Sequence, residues 1–491
     1  MRSLDKVITE KKERPIKVVQ FGEGNFLRAF VDYMIDIANE KTDFNGDIVL
    51  IKPIEFGSLE SFHKQECQYT VSLRGNVDGQ AAVLNRKVSS VADAVDSYTE
   101  YEKYIGLAEI ETLRFVVSNT TEAGIVFDDT DQFDLNPPKT FPGKLTKFLY
   151  HRFETFNGDM SKGLIMLPVE LIDDNGIMLK KCVMQLIELW GLSKEFKTWV
   201  EEACIFTATL VDRIVTGYPR ATEAEEWEKL GYEDRIMVTG EPFALWVIES
   251  DKDISKELPL DKAMADMPGM DVVFTDNHKP YKQRKVRILN GAHTSFVLAA
   301  YLAGKDIVRD SMQDDDIRNF MLKTIYEEVI PTLSLPEEEL KAFAGEVVNR
   351  FNNPYVDHSL LAISLNSVSK WRARCMPSFL GYVEKMGKLP DHLTFSMATL
   401  MAFYTGTEIR GKALIGHRDG QEYNIMDDMA VLEFFRDNCE KETGAFVTAF
   451  LGNEEFFGQD LNKVSGLTDA VTTYLDDIKE NGMRAALCKI S

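Results

Sequence analysis

Lys285, Asn290 and His293 fall within nine residues, in KVRILNGAH, directly ahead of the apolar run TSFVLAAYLAG. The run reads as a long apolar helix with the three polar residues at its start. At about 100° per residue, Asn290 lies about 140° and His293 about 80° round from Lys285, so one helix face can carry all three. A lysine can move a hydroxyl proton while an amide and an imidazole hold the oxygen as its charge changes. Those are the needs of a metal-free alcohol/carbonyl oxidoreductase. Lysine titrates near ~10.4 in water, so the role calls for burial or nearby cations, and Lys282, Arg284 and Arg287 flank it. A solvated lysine, a helix cap and a core histidine would account for the same triplet, so the rest of the chain must decide.

A second chemical feature lies near the N-terminus. IKVVQF reads as a buried strand running into Gly22-Glu23-Gly24, with a helix from about Phe26 to Asn39 and a second strand, DIVLIKPI. Strand, glycine turn, helix and strand make up the nucleotide-binding half of a Rossmann fold. Gly22 and Gly24 fit the first two positions of GxGxxG, and with Asn25 and Phe26 they form the expected cofactor contact at the helix N-terminus. Leu27 takes the third glycine position, which predicts looser packing of helix on sheet. The second strand ends in Lys52-Pro53, where an acidic residue usually meets the ribose, and Glu55 comes late. NAD versus NADP therefore stays open at this motif. Asn119 and Thr120 follow the strand in LRFVVSNTTEAG, at a strand C-terminus where cofactors bind in open α/β sheets.

These groups need a scaffold of some size. The chain has 491 residues, 44% hydrophobic and 27% charged, as expected of a globular protein with two or three domains. Its net charge of −23 argues against nucleic acid and anionic membranes as partners. No signal-peptide core and no membrane-length apolar run is evident, and the six scattered cysteines suit a reducing cytoplasm. There is no CxxC, no HExxH and no close histidine pair, so no metal is expected. YTVSLRGNVDGQAAVLNRKV reads as a hairpin turning at Asp78-Gly79. GKLTKFLYHRF reads as a helix and GLIMLPVEL as another buried strand, and such alternation implies a parallel sheet covered on both faces. Beyond about Lys279 helical periods dominate. The fold class is therefore α/β, with a Rossmann-type N-terminal domain over 1–276 and a mostly α-helical substrate domain over 277–491.

Other residues fit that plan. Asp212-Arg213 reads as an ion pair between domains. In NPYVDHSLLAISLNSVSKWRAR, His358, Lys370 and Arg374 stand in the substrate domain, the last two as i, i+4 neighbours. On so acidic a protein, such a basic pair is either a solvated stripe or a substrate contact.

FGEGNFLRAF, SNTTEAG, LVDRIVTGYP and KVRILNGAH, in that order, resemble the mannitol dehydrogenase family of polyol-specific long-chain dehydrogenases, from about Ile16 to the 420s. PVELIDDNG, KPYKQRKVRILNGAHT and RFNNPY look most like its uronate-reducing branch. The resemblance implies an NAD(H)-dependent, metal-free oxidoreductase of hexuronate catabolism, with Lys285 as acid/base and Asn290 and His293 polarising the oxygen. It implies a sugar-acid substrate, tagaturonate and altronate first, with fructuronate/mannonate or polyol turnover as alternatives. A binding protein that has lost catalysis has no use for the intact triplet. Two positions depart from the mannitol-oxidising branch. Glu170 and Leu171 stand where that branch has a further asparagine, and Lys282 where it tends to have a glutamate. Lys282, His358, Lys370 and Arg374 are thus the expected contacts to the substrate and its carboxylate. Oligomeric state is not legible.

Overall fold

A computed structural model describes residues 2–4, 11–77, 79–120 and 124–491. Asp78 of the expected hairpin turn and residues 121–123 of SNTTEAG lie outside the described residues. The chain divides into two compact units, Met1–His278 and Lys279–Ser491.

The first unit is built on six parallel strands: β1 (Ile16–Phe21), β2 (Asp47–Lys52), β3 (Val91–Asp96), β4 (Phe115–Ser118), β5 (Ile165–Pro168) and β6 (Ile205–Phe206). Their order across the sheet is β3-β2-β1-β4-β5-β6. That is the doubly wound order, and it reverses between β1 and β4. The strands are apolar at almost every position because both faces are covered. Val18, Ile48, Leu50, Val117 and Leu167 enter the core on one face. Val19, Phe21, Ile51, Val116 and Met166 enter the core on the other. Each such side chain contributes roughly 1.5–3 kcal/mol on burial. The hairpin Tyr69–Val77/Gln80–Val88 pairs in the register a two-residue turn demands, Val77 opposite Gln80.

The helix after β1 is continuous over 25–41 (α1) but widens to a π-helix over Arg28–Asp32. Arg213 is anchored beside it. Its guanidinium donates to the carbonyls of Phe243 (2.9 Å), Pro242 (2.9 Å) and Ala29 (2.5 Å). These three main-chain acceptors satisfy the buried cation, where the sequence suggested Asp212 as its partner.

Asp32, fully buried under the glycine turn, accepts from Tyr69 Oη at 2.5 Å, while its Oδ1 and Gln20 Oε1 have no partner. Burial pushes its carboxyl up to about 7, against the Tyr69 hydrogen bond. The folded state then binds a proton the unfolded chain has lost. Stability from this group is full below about pH 3.9 and falls as pH rises toward 7. Asp32→Asn keeps the bond from Tyr69 and removes the charge. The variant should melt above the wild type at pH 8, by up to about 4 kcal/mol, and the gap should close toward pH 4. A difference in melting temperature that did not vary with pH would show that Asp32 is not the titrating group.

The second unit is mainly helical. A helix over 279–302 (α2) runs through its centre. Gly291 to Tyr301 are buried apart from His293, as expected of a helix covered on every side. It packs on Asp391–Phe403, which packs in turn on Leu467–Ile490. A small antiparallel sheet, Ile409–Arg410, Ala413–Arg418 and Gln421–Ile425, interrupts the helices and was not evident in the periodicity. No helix among the described residues is long and apolar enough to cross a membrane.

Candidate functional site

In the second unit the reactive residue types gather around α2. The helix starts at Lys279, so Lys285 sits in its second turn rather than at its start. Over Lys285–Asn290 it is a π-helix, and the Gly291 N–H reaches back to Val286 O. A π-turn holds about one residue more than an α-turn, so the 100° step fails across this stretch. Residues five apart, 140° apart in an α-helix, come instead toward one line. Lys285 and Asn290 are related in this way, and both are half-buried. Among the described residues the Asn290 amide makes no hydrogen bond, while its carbonyl accepts from Thr294 Oγ1 at 2.9 Å.

His293 is held by aromatic packing. Its ring stacks on Phe351 at 4.3 Å and 25°, and lies edge-on to His358 at 5.3 Å and 85°. Phe351 ends the helix Glu337–Phe351 (α3). Burial pushes the His293 pKa well below its ordinary value, and His358, Arg350, Arg374 and Lys370 push it further the same way. The ring is therefore neutral, one nitrogen carrying hydrogen and the other a lone pair. Its Nε2 is buried without a hydrogen-bond partner. Such an orphan costs about 1–3 kcal/mol, which an oxygen of a bound molecule would recover.

The short helix Ser367–Arg374 (α4) supplies two cations. Arg374 Nη1 lies 3.4 Å from Thr294 Oγ1, and Lys370 Nζ donates to Ile363 O at 2.9 Å. Burial lowers the pKa of each, and Arg374 lowers that of Lys370 further. Asp427 offsets part of this at Lys370, and two mutually repelling cations beside a neutral histidine form a site suited to an anion. Gly291 lets α4 come this close, since a Cβ there would meet Arg374 O at 3.3 Å. His293, His358, Lys370 and Arg374 thus form one cluster, while Lys282 and Lys285 stand earlier on α2, half-buried. Arg350 belongs to the cluster and was missed in the sequence. Its only local signal is its place beside Phe351 in a run of helical period.

In the first unit the glycine turn and the exit of β4 meet at the strand-order reversal. Gly22 has φ +124°, and its N–H donates to Ile51 O at 2.9 Å. A Cβ there would meet Leu27 Cδ1 at 3.1 Å and Asn119 O at 3.3 Å. Leu27 therefore folds under the turn and fills it, where looser packing was expected. Gly24 has an ordinary φ of −67°, and a Cβ would meet nothing within 4 Å. No internal contact requires a glycine there, and its open side is what a pyrophosphate approaching α1 needs. Asn25 Oδ1 accepts from Arg28 Nη2 at 2.7 Å, and Phe26 stacks on Phe30 at 4.9 Å. Arg28, also missed, donates to Glu23 O at 3.0 Å and lies 5.3 Å from each of the Phe62 and Tyr69 rings. A charged residue amid the apolar stripe of α1 was the available clue.

Asn119 N–H donates to Phe21 O at 3.2 Å. Thr120 donates from N and Oγ1 to Glu170 Oε1, both at 3.0 Å, and Ser118 Oγ donates to Oε2 at 3.1 Å. Glu170 is buried, and burial raises its pKa against these three bonds. It braces the β4 turn, while Leu171 beside it is exposed. A cavity of about 510 Å³ opens at the opposite edge of the sheet, near Lys17 and Arg114 where β1 and β4 begin, and includes none of these residues.

Residues 16–262 match the mannitol dehydrogenase Rossmann domain, and residues 277–479 the mannitol dehydrogenase C-terminal domain. The chain is 44% identical to altronate oxidoreductases of Phocaeicola vulgatus and Bacteroides thetaiotaomicron, over 98% of each chain. It is 43% identical to that of Escherichia coli O139:H28 over 99% of both. Its fold is shared with a D-sorbitol dehydrogenase in substrate-free form (TM-score 0.77, 21% identity, 99% of both chains). It is also shared with Pseudomonas fluorescens mannitol 2-dehydrogenase in complex with NAD and D-mannitol (TM-score 0.65, 20% identity, 98% of this chain and 95% of that one). The chain belongs to the mannitol dehydrogenase family.

Proposed function

We propose that this protein is an NAD-dependent altronate oxidoreductase, interconverting D-tagaturonate and D-altronate. The observation that carries the reading is His293: neutral, with an unpartnered buried nitrogen, amid Arg350, His358, Lys370 and Arg374. That arrangement suits a substrate with both a carbonyl or hydroxyl oxygen and a carboxylate. The name carried by relatives 43–44% identical over nearly the whole chain supports the same substrate.

When bound, the nicotinamide would supply or accept the hydride. The open side of Gly24, the positive-φ turn at Gly22 and the N-terminus of α1 fit its pyrophosphate, with Asn119 and Thr120 at the neighbouring strand exit. Lys285 gives a proton to the ketone oxygen in reduction and takes it from the alcohol in oxidation. Asn290 and His293 hold that oxygen by hydrogen bonds as its charge changes. Lys370 and Arg374, with Lys282 and His358, hold the carboxylate end.

The experiment is NADH oxidation with tagaturonate, fructuronate and fructose side by side. Turnover highest with tagaturonate is expected, and a preference for either other ketone would reassign the substrate. Gly24→Val tests the cofactor site. A Cβ there meets no protein atom within 4 Å and the φ is ordinary, so the fold should survive, while the branched side chain occupies the pyrophosphate position. NADH affinity should collapse in a fluorescence titration, and an unchanged dissociation constant would put the cofactor elsewhere.

A further inference from the structure

In a dinucleotide fold the residue ending the second strand meets the ribose 2′-hydroxyl, and it is usually acidic in NAD enzymes. Here it is Lys52, and a free cation at that point would favour the 2′-phosphate of NADP. The ammonium is not free. Lys52 is 1% exposed, and its Nζ donates to the carbonyls of Ile54 (2.7 Å), Glu55 (3.1 Å) and Phe56 (3.2 Å). It also pairs with Asp96 Oδ2 at 3.0 Å. An ammonium has three N–H groups, and here four acceptors surround them, so none is left for a phosphate.

Asp96 ends β3, directly opposite Lys52 in the parallel register. Its Oδ1 accepts from the N–H groups of Tyr98 (2.9 Å) and Thr99 (3.3 Å). Burial alone would raise its pKa, but these bonds and Lys52 hold it below the usual carboxylate value, so it stays charged. Glu23, in the glycine turn, is close enough to feel Lys52, Arg28 and Asp96. Burial raises the Glu23 pKa, which leaves Asp96 as the firmer anion of the two.

We propose that Asp96, aided by Glu23, supplies the negative charge that selects NAD over NADP, with Lys52 as a positioning residue that hides its own cation. The proposal rests on the dinucleotide reading above. A 2′-phosphate brings about −1.5 to −2 charges toward two carboxylates, while the N–H groups of Lys52 are taken by its own acceptors and Arg28 is engaged by Glu23 O, Asn25 Oδ1 and Ile236 O.

The test is paired titration with NADH and NADPH of wild type, Asp96→Asn, Glu23→Gln and the double variant Lys52→Met/Asp96→Asn. The double variant matters because Asp96→Asn alone strands a buried ammonium, whereas removing both charges leaves none unpaired. Wild type should bind NADH far better than NADPH. Each folded variant lacking a carboxylate should narrow that ratio, by about 10-fold or more where Asp96 is lost, with kcat on NADH changing less than KM. A purely structural role would weaken both cofactors equally, and an unchanged ratio in the variants overturns the proposal. So does a wild type that prefers NADPH. Binding of neither cofactor by wild type overturns the dinucleotide reading itself, and this proposal with it.

Discussion

Lys285→Ala is expected to lower kcat at least ~100-fold while NADH affinity stays close to wild type. The size follows from what a positioned proton donor contributes, about 10²–10⁴-fold. The selectivity follows from placement. Lys285 lies in the second unit, on the π-turn of α2, whereas the glycine turn and the β4 exit belong to the first. Lys285 is half-buried, so its truncation removes little packing. Asn290 and His293 remain to bind the substrate oxygen, so KM should move much less than kcat. Steady-state turnover of tagaturonate beside an NADH fluorescence titration separates the two effects. Turnover near wild type in the alanine variant would take Lys285 out of the mechanism.

The second large effect concerns the carboxylate. A protein of net charge −23 repels an anionic substrate at long range, so recognition must come from cations at the site. One charge-assisted bond contributes about 1.5–3 kcal/mol, so losing it weakens binding about 10- to 150-fold. Lys370→Met and Arg374→Met should each lower kcat/KM for tagaturonate within that range and leave a poor activity on fructose almost unchanged. Arg374 should matter more. Its contact with Thr294 is long at 3.4 Å, while Lys370 already donates to Ile363 O at 2.9 Å. Equal use of fructose and tagaturonate by wild type, or retained preference for the acid in both variants, would refute this assignment of anchors.

Some of this was legible because it is local. The apolar runs of IKVVQF, DIVLIK and GLIMLP are strands buried on both faces, and a strand reports its own burial in its own composition. The hairpin was legible for the same reason, and Val77 stands opposite Gln80 as a two-residue connection requires. Gly22 was legible as a turn residue, and the structure adds the contacts with Leu27 and Asn119 that forbid a side chain. The change from alternating strands and helices to mainly helical periods lies close to the division of the chain between His278 and Lys279.

By itself, then, the sequence determined the central strands, the glycine turn with its helix, and the residue types near α2, since periodicity and turn chemistry belong to short stretches of chain. Tertiary structure decided the rest. The groups around His293 come from α3, from the His358 segment and from α4, and only packing brings them together. Lys52 looked like a cation on offer until the register of β2 against β3 set Asp96 opposite it. Arg213 found three carbonyl acceptors, Ala29, Pro242 and Phe243, far from it in sequence. The π-turn over Lys285–Asn290 changed the angles that an α-helix would have given. Each of these depends on which groups distant in sequence reach a buried charge or a backbone donor first, and no local pattern encodes that.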